Sequence, residues 1–248
     1  MGDKGQVALI TGSATGVGRA CAVRFAQRGF DVCVNYSRSE AEARETAESV
    51  ERSGGRAIVA RCDVSDDAQV RAMLAEVERA FGRLDVLVNN AARTHFVPHA
   101  KLDDLSESQW DEILGVNLKG PFFVTRAAVP LLRKSPRAAI VNVSSVAGVS
   151  GMGSSIAYCA SKGGLNTLTR SLARALAPIR VNAVCPGPID SRWLRAVMTE
   201  EQLNALVADY PLARAATPDD IADTVLYLAA GTSLTTGQCL VVDGGRTI

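Results

Sequence analysis

The sequence has only two histidines, His95 and His99, and no two cysteines at the short spacing of a metal site or redox motif. Its six cysteines, Cys21, Cys33, Cys62, Cys159, Cys185 and Cys239, stand singly, as small residues do in a reducing compartment. Pro98 sits between the histidines and argues against a helix that would align them, so they read as loop or pocket-lining residues and no metal is expected. An excess of one charge is also missing: 27 Lys and Arg stand against 26 Asp and Glu, and aromatic residues make up 5%. Without a basic face a protein gains little from displacing the counterions of a nucleic acid, which leaves small molecules and other copies of the chain as the expected partners. No apolar stretch is long enough to span a bilayer and the N-terminus lacks a secretory pattern, so a soluble, cytoplasmic protein with no membrane partner is expected. Because no Pro-, Ser- or charge-rich linker interrupts the chain, residues 1–248 read as a single domain.

What the chain does have is a recurring apolar run between helical stretches. Val7-Ala8-Leu9-Ile10 is followed by Val32-Cys33-Val34, Ala57-Ile58-Val59-Ala60, Val86-Leu87-Val88, Ala139-Ile140-Val141-Asn142-Val143, Val181-Asn182-Ala183-Val184 and Leu240-Val241-Val242. Continuous apolar strands that alternate with helices predict a parallel sheet buried on both faces, an α/β doubly wound fold of the Rossmann type. In such a sheet ligands bind beyond the carboxyl ends of the strands.

The residues with chemical potential fall at those ends. After the first run comes Thr11-Gly12-Ser13-Ala14-Thr15-Gly16-Val17-Gly18, a strand, glycine turn and helix start. Gly12 would permit the tight turn, Gly16 the close approach of a pyrophosphate and Gly18 the packing of helix on strand, so a dinucleotide is expected there. Ser144-Ser145 closes the fifth run, and thirteen residues after Ser145 comes Tyr158, with Lys162 four further on. Small residues and good helix formers around the last two predict a helix with both side chains on one face. A Tyr and a Lys at that spacing are often no more than an aromatic packed over a lysine stem. A phenol ionises near pH 10 in water, so proton transfer near neutrality needs about 4 kcal/mol of assistance, which a neighbouring ammonium would supply.

The T-G-x-x-x-G-x-G spacing together with Tyr-x-x-x-Lys resembles the short-chain dehydrogenase/reductase family. The likeness runs from Val7 to about Gly245 and includes Asp63-Val64, Asn89-Asn90-Ala91-Ala92, Asn117, Ser145, Tyr158, Lys162, Pro186-Gly187 and Val242-Asp243-Gly244-Gly245. The resemblance implies an NAD(P)-dependent oxidoreductase that moves a hydride between nicotinamide and a ketone or secondary alcohol. In it Tyr158 exchanges the proton, Lys162 holds the nicotinamide ribose and lowers the tyrosine pKa, Ser145 bonds the reacting oxygen, and Asn117 kinks its helix and holds a water that links the lysine to solvent. Ser144 is expected to be structural.

By the same resemblance the cofactor is held by Gly12, Thr15, Gly16, Val17, Gly18, Tyr36, Ser37, Arg38, Asp63, Val64, Asn90, Ala91, Ala92, Tyr158, Lys162, Pro186, Gly187, Ile189 and Ser191. Two of these depart from the usual pattern: Ala92 replaces a glycine and Ser191 a threonine. No acid occupies Tyr36, where NAD-preferring relatives carry one, and Arg38 with Ser37 could bind a 2′-phosphate, so NADP (NADPH) is favoured with NAD possible. Arg38 also reads as a solvated turn residue, and Asp63 either meets the adenine or caps the next helix.

Residues 191–217 are expected to form a substrate lid with Trp193, Leu194, Val197 and Met198 on its inner face. The substrate pocket is assigned to His95, Phe96, Ser145, Met152 and Trp193, for a largely apolar ketone or alcohol. One alternative is a 3-oxoacyl-carrier-protein reductase, whose acidic partner would dock on arginines such as those of the Arg133, Lys134, Arg137 cluster. Another, of a different class, is a non-catalytic nucleotide-binding regulator, which the intact Ser145, Tyr158 and Lys162 disfavour. The family also implies a homotetramer, with a dimer in reserve.

Overall fold

Seven apolar segments pair side by side, all parallel, in the order β3-β2-β1-β4-β5-β6-β7. They are β1 (Val7–Ile10), β2 (Asp31–Tyr36), β3 (Ala57–Arg61), β4 (Val86–Asn89), β5 (Ala139–Val143), β6 (Arg180–Pro186) and β7 (Cys239–Val242). This computed structural model describes residues 5–248. Helices join the strands: α1 (Gly16–Gln27), α2 (Glu40–Arg52), α3 (Asp67–Phe81), α4 (Glu107–Leu114), α5 (Gly120–Leu132), α6 (Ala147–Ser150), α7 (Ile156–Ala175), α8 (Arg192–Arg195), α9 (Glu200–Val207) and α10 (Pro218–Leu226). Among the described residues no helix is long and apolar enough to cross a membrane.

Side-chain alternation along the strands builds two cores. Ala8 and Ile10 of β1 face one way, toward Cys21, Ala22 and Phe25 of α1 and Ile221 and Val225 of α10. Val7 and Leu9 face the other, toward Val70, Met73 and Val77 of α3 and Val124, Ala128 and Leu131 of α5. The five central strands are buried almost throughout, as their continuous apolar runs predict. The outermost strands are not: β3 and β7 are only partly covered, and Leu240 is 42% exposed. An apolar run does not reveal whether a strand has a neighbour on both sides.

Carboxylates secure the amino edge of the sheet. Buried Asp85 accepts from the Val7 N–H at 2.9 Å, from Arg83 at 2.6 and 2.9 Å and from the Ser135 hydroxyl at 2.6 Å, which ties β1, β4 and the approach to β5 together. Asp31 binds both the backbone and the guanidinium of Arg56 at the start of β3. Amides do the corresponding work at the carboxyl edge. Asn35 accepts from Gly12 N at 2.9 Å and donates to the carbonyls of Ala60 and Cys62, while Asn142 accepts from Asn89 at 2.9 Å and donates to Thr169 of α7 at 2.8 Å. These bonds hold the loops that follow β1, β2, β4 and β5.

The sequence direction reverses between β1 and β4, so their following loops part and leave a crevice. Thr11 and Asn90 lock the base of that crevice. The Thr11 hydroxyl accepts from Asn90 N and Ala91 N, both at 3.0 Å, and Asn90 Nδ2 donates to the carbonyls of Thr11 at 2.9 Å and Gly12 at 3.0 Å.

Candidate active site

A cleft of about 1140 Å³ opens at the carboxyl ends of the strands. One half follows the glycine turn. Gly12 adopts φ +61, and a Cβ there would lie 2.9 Å from Ala91 Cα. Gly16 adopts φ +57 with nothing within 4 Å of a Cβ, so the backbone at the start of α1 is bare toward the cleft. Thr15 occupies the cap position of α1 without capping it, which leaves the N–H groups of the first turn and the positive helix end open to an anion. Gly18 has the opposite role: a Cβ would stand 2.4 Å from the Gly12 carbonyl and 2.6 Å from Asn90 Nδ2, so it packs the helix onto the loop rather than facing a ligand. An uncapped helix start, an open glycine and a long cleft fit a dinucleotide.

Further along this half lie Val17, Ser37, Asp63, Val64, Asn90, Ala91 and Ala92, and at the other end Pro186, Gly187, Ile189 and Ser191. Among the described residues only glycines have positive φ, so Ala92 replaces the family glycine without backbone strain. The side chain of Asn90 is committed to the glycine turn. Asp63 does not cap α3: it accepts from the N–H and hydroxyl of Ser65 at 3.0 and 2.7 Å, and Asp66 caps the helix through Ala68 N and Gln69 N. Tyr36 and Arg38 fall outside the cleft lining. Tyr36 shares a hydrogen bond with Glu40, whose carboxyl Arg44 holds below its ordinary range, and Arg38 is exposed.

Ser145, Tyr158 and Lys162 converge where the two halves meet. Ser155 caps α7 by accepting from Tyr158 N, and the 20-residue helix then carries Tyr158 and Lys162 on one face. Lys162 is buried, its Nζ donating to the Val143 carbonyl at 2.8 Å and lying 5.7 Å from the Tyr158 ring centroid. Burial lowers its pKa to about 8. Burial also pushes Tyr158 up to about 12, partly opposed by a hydrogen bond with Ser145. The net direction for the phenol is therefore up, because here desolvation is the largest influence on it. Ser144, also on the cleft wall, donates to the Lys162 carbonyl at 3.2 Å.

Asn117 is fully buried outside the cleft lining, within a π-helical segment (Gly115–Lys119) that joins α4 to α5. Its amide accepts from Arg93 N at 2.7 Å and donates to the Arg93 carbonyl at 2.9 Å and to Ser161 of α7 at 3.0 Å. The side chain thus fastens the loop after β4 to the helix that carries Tyr158.

Of the residues assigned to the substrate pocket, Phe96, Ser145, Met152 and Trp193 line the cleft, with the Trp193 ring edge-on to Tyr158 at 6.4 Å. His95 does not line it: His95 Nε2 lies 2.6 Å from Glu112 Oε2, and Glu112 also binds Arg93 at 2.8 Å. His99 lines the cleft in its place. Within residues 191–217, Trp193, Leu194, Met198 and Leu206 line the cleft, whereas Val197 does not. Sequence reasoning also missed Arg93, Thr94, Ser154, Arg192 and Arg246. Arg93 directly follows Asn-Asn-Ala-Ala, which gave a local signal, but nothing near Arg246 marks it as part of the cleft.

The family described as "Enoyl-(Acyl carrier protein) reductase" matches residues 12–247. The chain is 43% identical to "Granaticin polyketide synthase putative ketoacyl reductase 2" of Streptomyces violaceoruber, over 96% of this chain and 95% of that one. It is 39% identical to a 3-oxoacyl-[acyl-carrier-protein] reductase of Staphylococcus aureus, over 96% of both. The crystal structure of "a putative short-chain dehydrogenase/reductase from Burkholderia xenovorans" superposes with a TM-score of 0.91 at 40% identity, covering 97% of both chains. The chain belongs to the short-chain dehydrogenase/reductase family. It is an oxidoreductase of CH–OH and C=O groups that uses a nicotinamide cofactor.

The two glycines separate folding from binding. Gly18→Ala is expected to cost about 1–3 kcal/mol by overpacking, a loss of roughly 2–4 °C in melting temperature for each kcal/mol. Gly16→Ala is expected to cost about 1–2 kcal/mol through its positive φ, with no steric clash, and to weaken dinucleotide binding more than Gly18→Ala does, because its methyl enters the cleft. Calorimetry and cofactor titration of both variants check the contrast.

Proposed function

We propose that the chain reduces a largely apolar ketone with NADPH, using Tyr158 as the acid, Ser145 as a second donor to the same oxygen and Lys162 as the charge behind them. The observation that carries this reading is the convergence of two hydroxyls and one buried ammonium on a single stretch of cleft wall. The glycine turn and the uncapped start of α1 would hold a pyrophosphate, and Pro186, Gly187, Ile189 and Ser191 the nicotinamide end. Bound there, the nicotinamide supplies the hydride.

The chain's own share of the reaction is to place and charge the oxygen. With a pKa near 12 the Tyr158 phenol keeps its proton at neutral pH and has one to give. Two donors fixed before negative charge develops on a carbonyl oxygen stabilise it without reorganisation. The Lys162 ammonium favours the tyrosinate left behind, and the Val143 carbonyl keeps it in place. Trp193, Phe96 and Met152 give the cleft an apolar wall beside the same spot.

Charge around the end of β2 supports NADP over NAD. Arg44 and Arg61 both act on the one acid there, Glu40, which Arg44 engages at 2.6 Å. Arg38 has no carboxylate partner among the described residues and is available to a 2′-phosphate. The relatives' names favour a 3-oxoacyl substrate as the second reading. Against a carrier protein docking on Arg133, Lys134 and Arg137, these residues precede β5 at the amino edge of the sheet, away from the cleft, and Lys134 is paired with Glu78 at 3.0 Å. Exposed Phe122 and Val149 support assembly into a homotetramer, which with a cytoplasmic location completes the proposal.

Three outcomes test it. Tyr158→Phe should abolish ketone reduction while NADPH titration remains close to that of the parent, since only the proton donor is lost; retained turnover would remove the tyrosine from the reaction. NADPH should bind more tightly than NADH, and Arg38→Leu should reduce that preference by about 10–100-fold, the worth of one charged hydrogen bond. Since Lys162 has a pKa of about 8, its charge is present below that pH and lost above it. The kcat/KM for reduction should thus be level at lower pH and fall above about 8, and a profile with no break there would separate Lys162 from catalysis.

A further inference from the structure

Three arginines line the cleft, Arg93, Arg192 and Arg246. Two are neutralised, Arg93 by Glu112 at 2.8 Å and Arg192 by Glu42 at 3.2 Å. Arg246 has no carboxylate within ion-pair distance among the described residues. The acid nearest to it in sequence, Asp243, is fully engaged: it accepts from Gly245 N at 2.9 Å, Thr247 N at 3.0 Å and the Thr247 hydroxyl at 2.8 Å.

The placement of Arg246 follows from the chain that leads to it. Asp243 packs on Gly187 at the nicotinamide end of the cleft. Gly244 and Gly245, at φ +68 and +89, then turn the chain beneath the lid, where Leu212 N donates to the Gly244 carbonyl at 2.9 Å and Gly245 abuts Pro211. Arg246 emerges half-buried with its guanidinium over the ring of Tyr210, 6.0 Å from the centroid. Stacking occupies the face of a guanidinium and leaves its in-plane N–H groups free, the geometry that takes an oxyanion in bidentate fashion. The cleft these residues share also has an apolar wall that includes Trp193, Met198 and Leu206.

We propose that Arg246 is a specificity-determining residue that binds an oxyanion, carboxylate or phosphate, at the far end of an apolar substrate whose carbonyl lies at Ser145 and Tyr158. The assignment of the two ends rests on the carbonyl-reducing reading of the cleft. The oxyanion site itself can be tested without turnover.

The test is a titration of the protein, saturated with NADP, with hexanoate, hexyl phosphate and hexanamide, followed by tryptophan fluorescence. At least one of the two anions should bind roughly tenfold or more tightly than the amide, and the stronger one identifies the group. Arg246→Met and Arg246→Gln should close that gap, and Arg246→Lys should keep part of it. Equal binding of anions and amide by the parent protein, or a gap that survives in both neutral variants, overturns the proposal. So does a loss of NADP affinity in the variants with the gap unchanged, which would place the arginine on the cofactor. None of these probes can be reduced, so a negative result leaves the reductase reading standing, while inactivity toward every ketone with the gap intact would fail that reading alone.

Discussion

One buried ammonium governs the local architecture of the cleft. Lys162 is 2% exposed and has no carboxylate beside it among the described residues, an arrangement that costs several kcal/mol wherever it is not compensated. The compensation is a single carbonyl, that of Val143 at the end of β5, and this requires α7 to approach the sheet closely. Glycine makes that approach possible on two sides: a Cβ on Gly148 would stand 2.4 Å from the Lys162 backbone, and one on Gly164 would stand 3.0 Å from Leu118. The Ser144 hydroxyl on the Lys162 carbonyl and the Asn117 amide on Ser161 fix the rotation of the helix. Once the lysine is placed, the residue one turn earlier, Tyr158, has only one direction to face.

The two edges of the sheet solve the same problem with different chemistry. At the amino edge carboxylates, Asp31 and Asp85, tie strand to strand and draw arginines to them. At the carboxyl edge the buried ties are neutral amides, those of Asn35, Asn89, Asn90, Asn117 and Asn142. A carboxylate could accept the same backbone bonds, yet it would add negative charge beneath loops suited to a pyrophosphate, where a few ångströms of low-dielectric protein make like-charge repulsion costly. Amides hold the loops and leave the positive end of α1 unopposed.

Much of this was legible in the sequence, for identifiable reasons. The strands were visible because a parallel sheet covered by helices demands uninterrupted apolar runs, and the glycine turn, Ser145, Tyr158 and Lys162 because their spacing is set by one strand end and one helix turn. Partners brought together over long sequence distances left no such trace. His95 and His99 are equivalent on paper, and only the placement of Glu112 on α4 decides that the first pairs with an acid while the second lines the cleft. Asp63 and Asp66 are separated as non-cap and cap by the turn at Ser65. Spacing reports that Tyr158 is near an ammonium but not how much solvent the phenol loses, and that loss pushes it up.

The segment 191–217 is held unevenly along its length. Its ion pairs, Arg192 with Glu42 and Arg195 with Asp190, involve side chains with solvent access, a setting in which such pairs contribute about 0–1 kcal/mol each. Its apolar contacts are stronger, but they belong to α9, where Leu203 and Val207 are buried, and not to the single turn of α8. Moving α8 therefore breaks weak pairs and displaces Trp193 from beside Tyr158, whereas moving α9 would expose core. The short helix that carries the tryptophan is thus the less firmly held part of this segment.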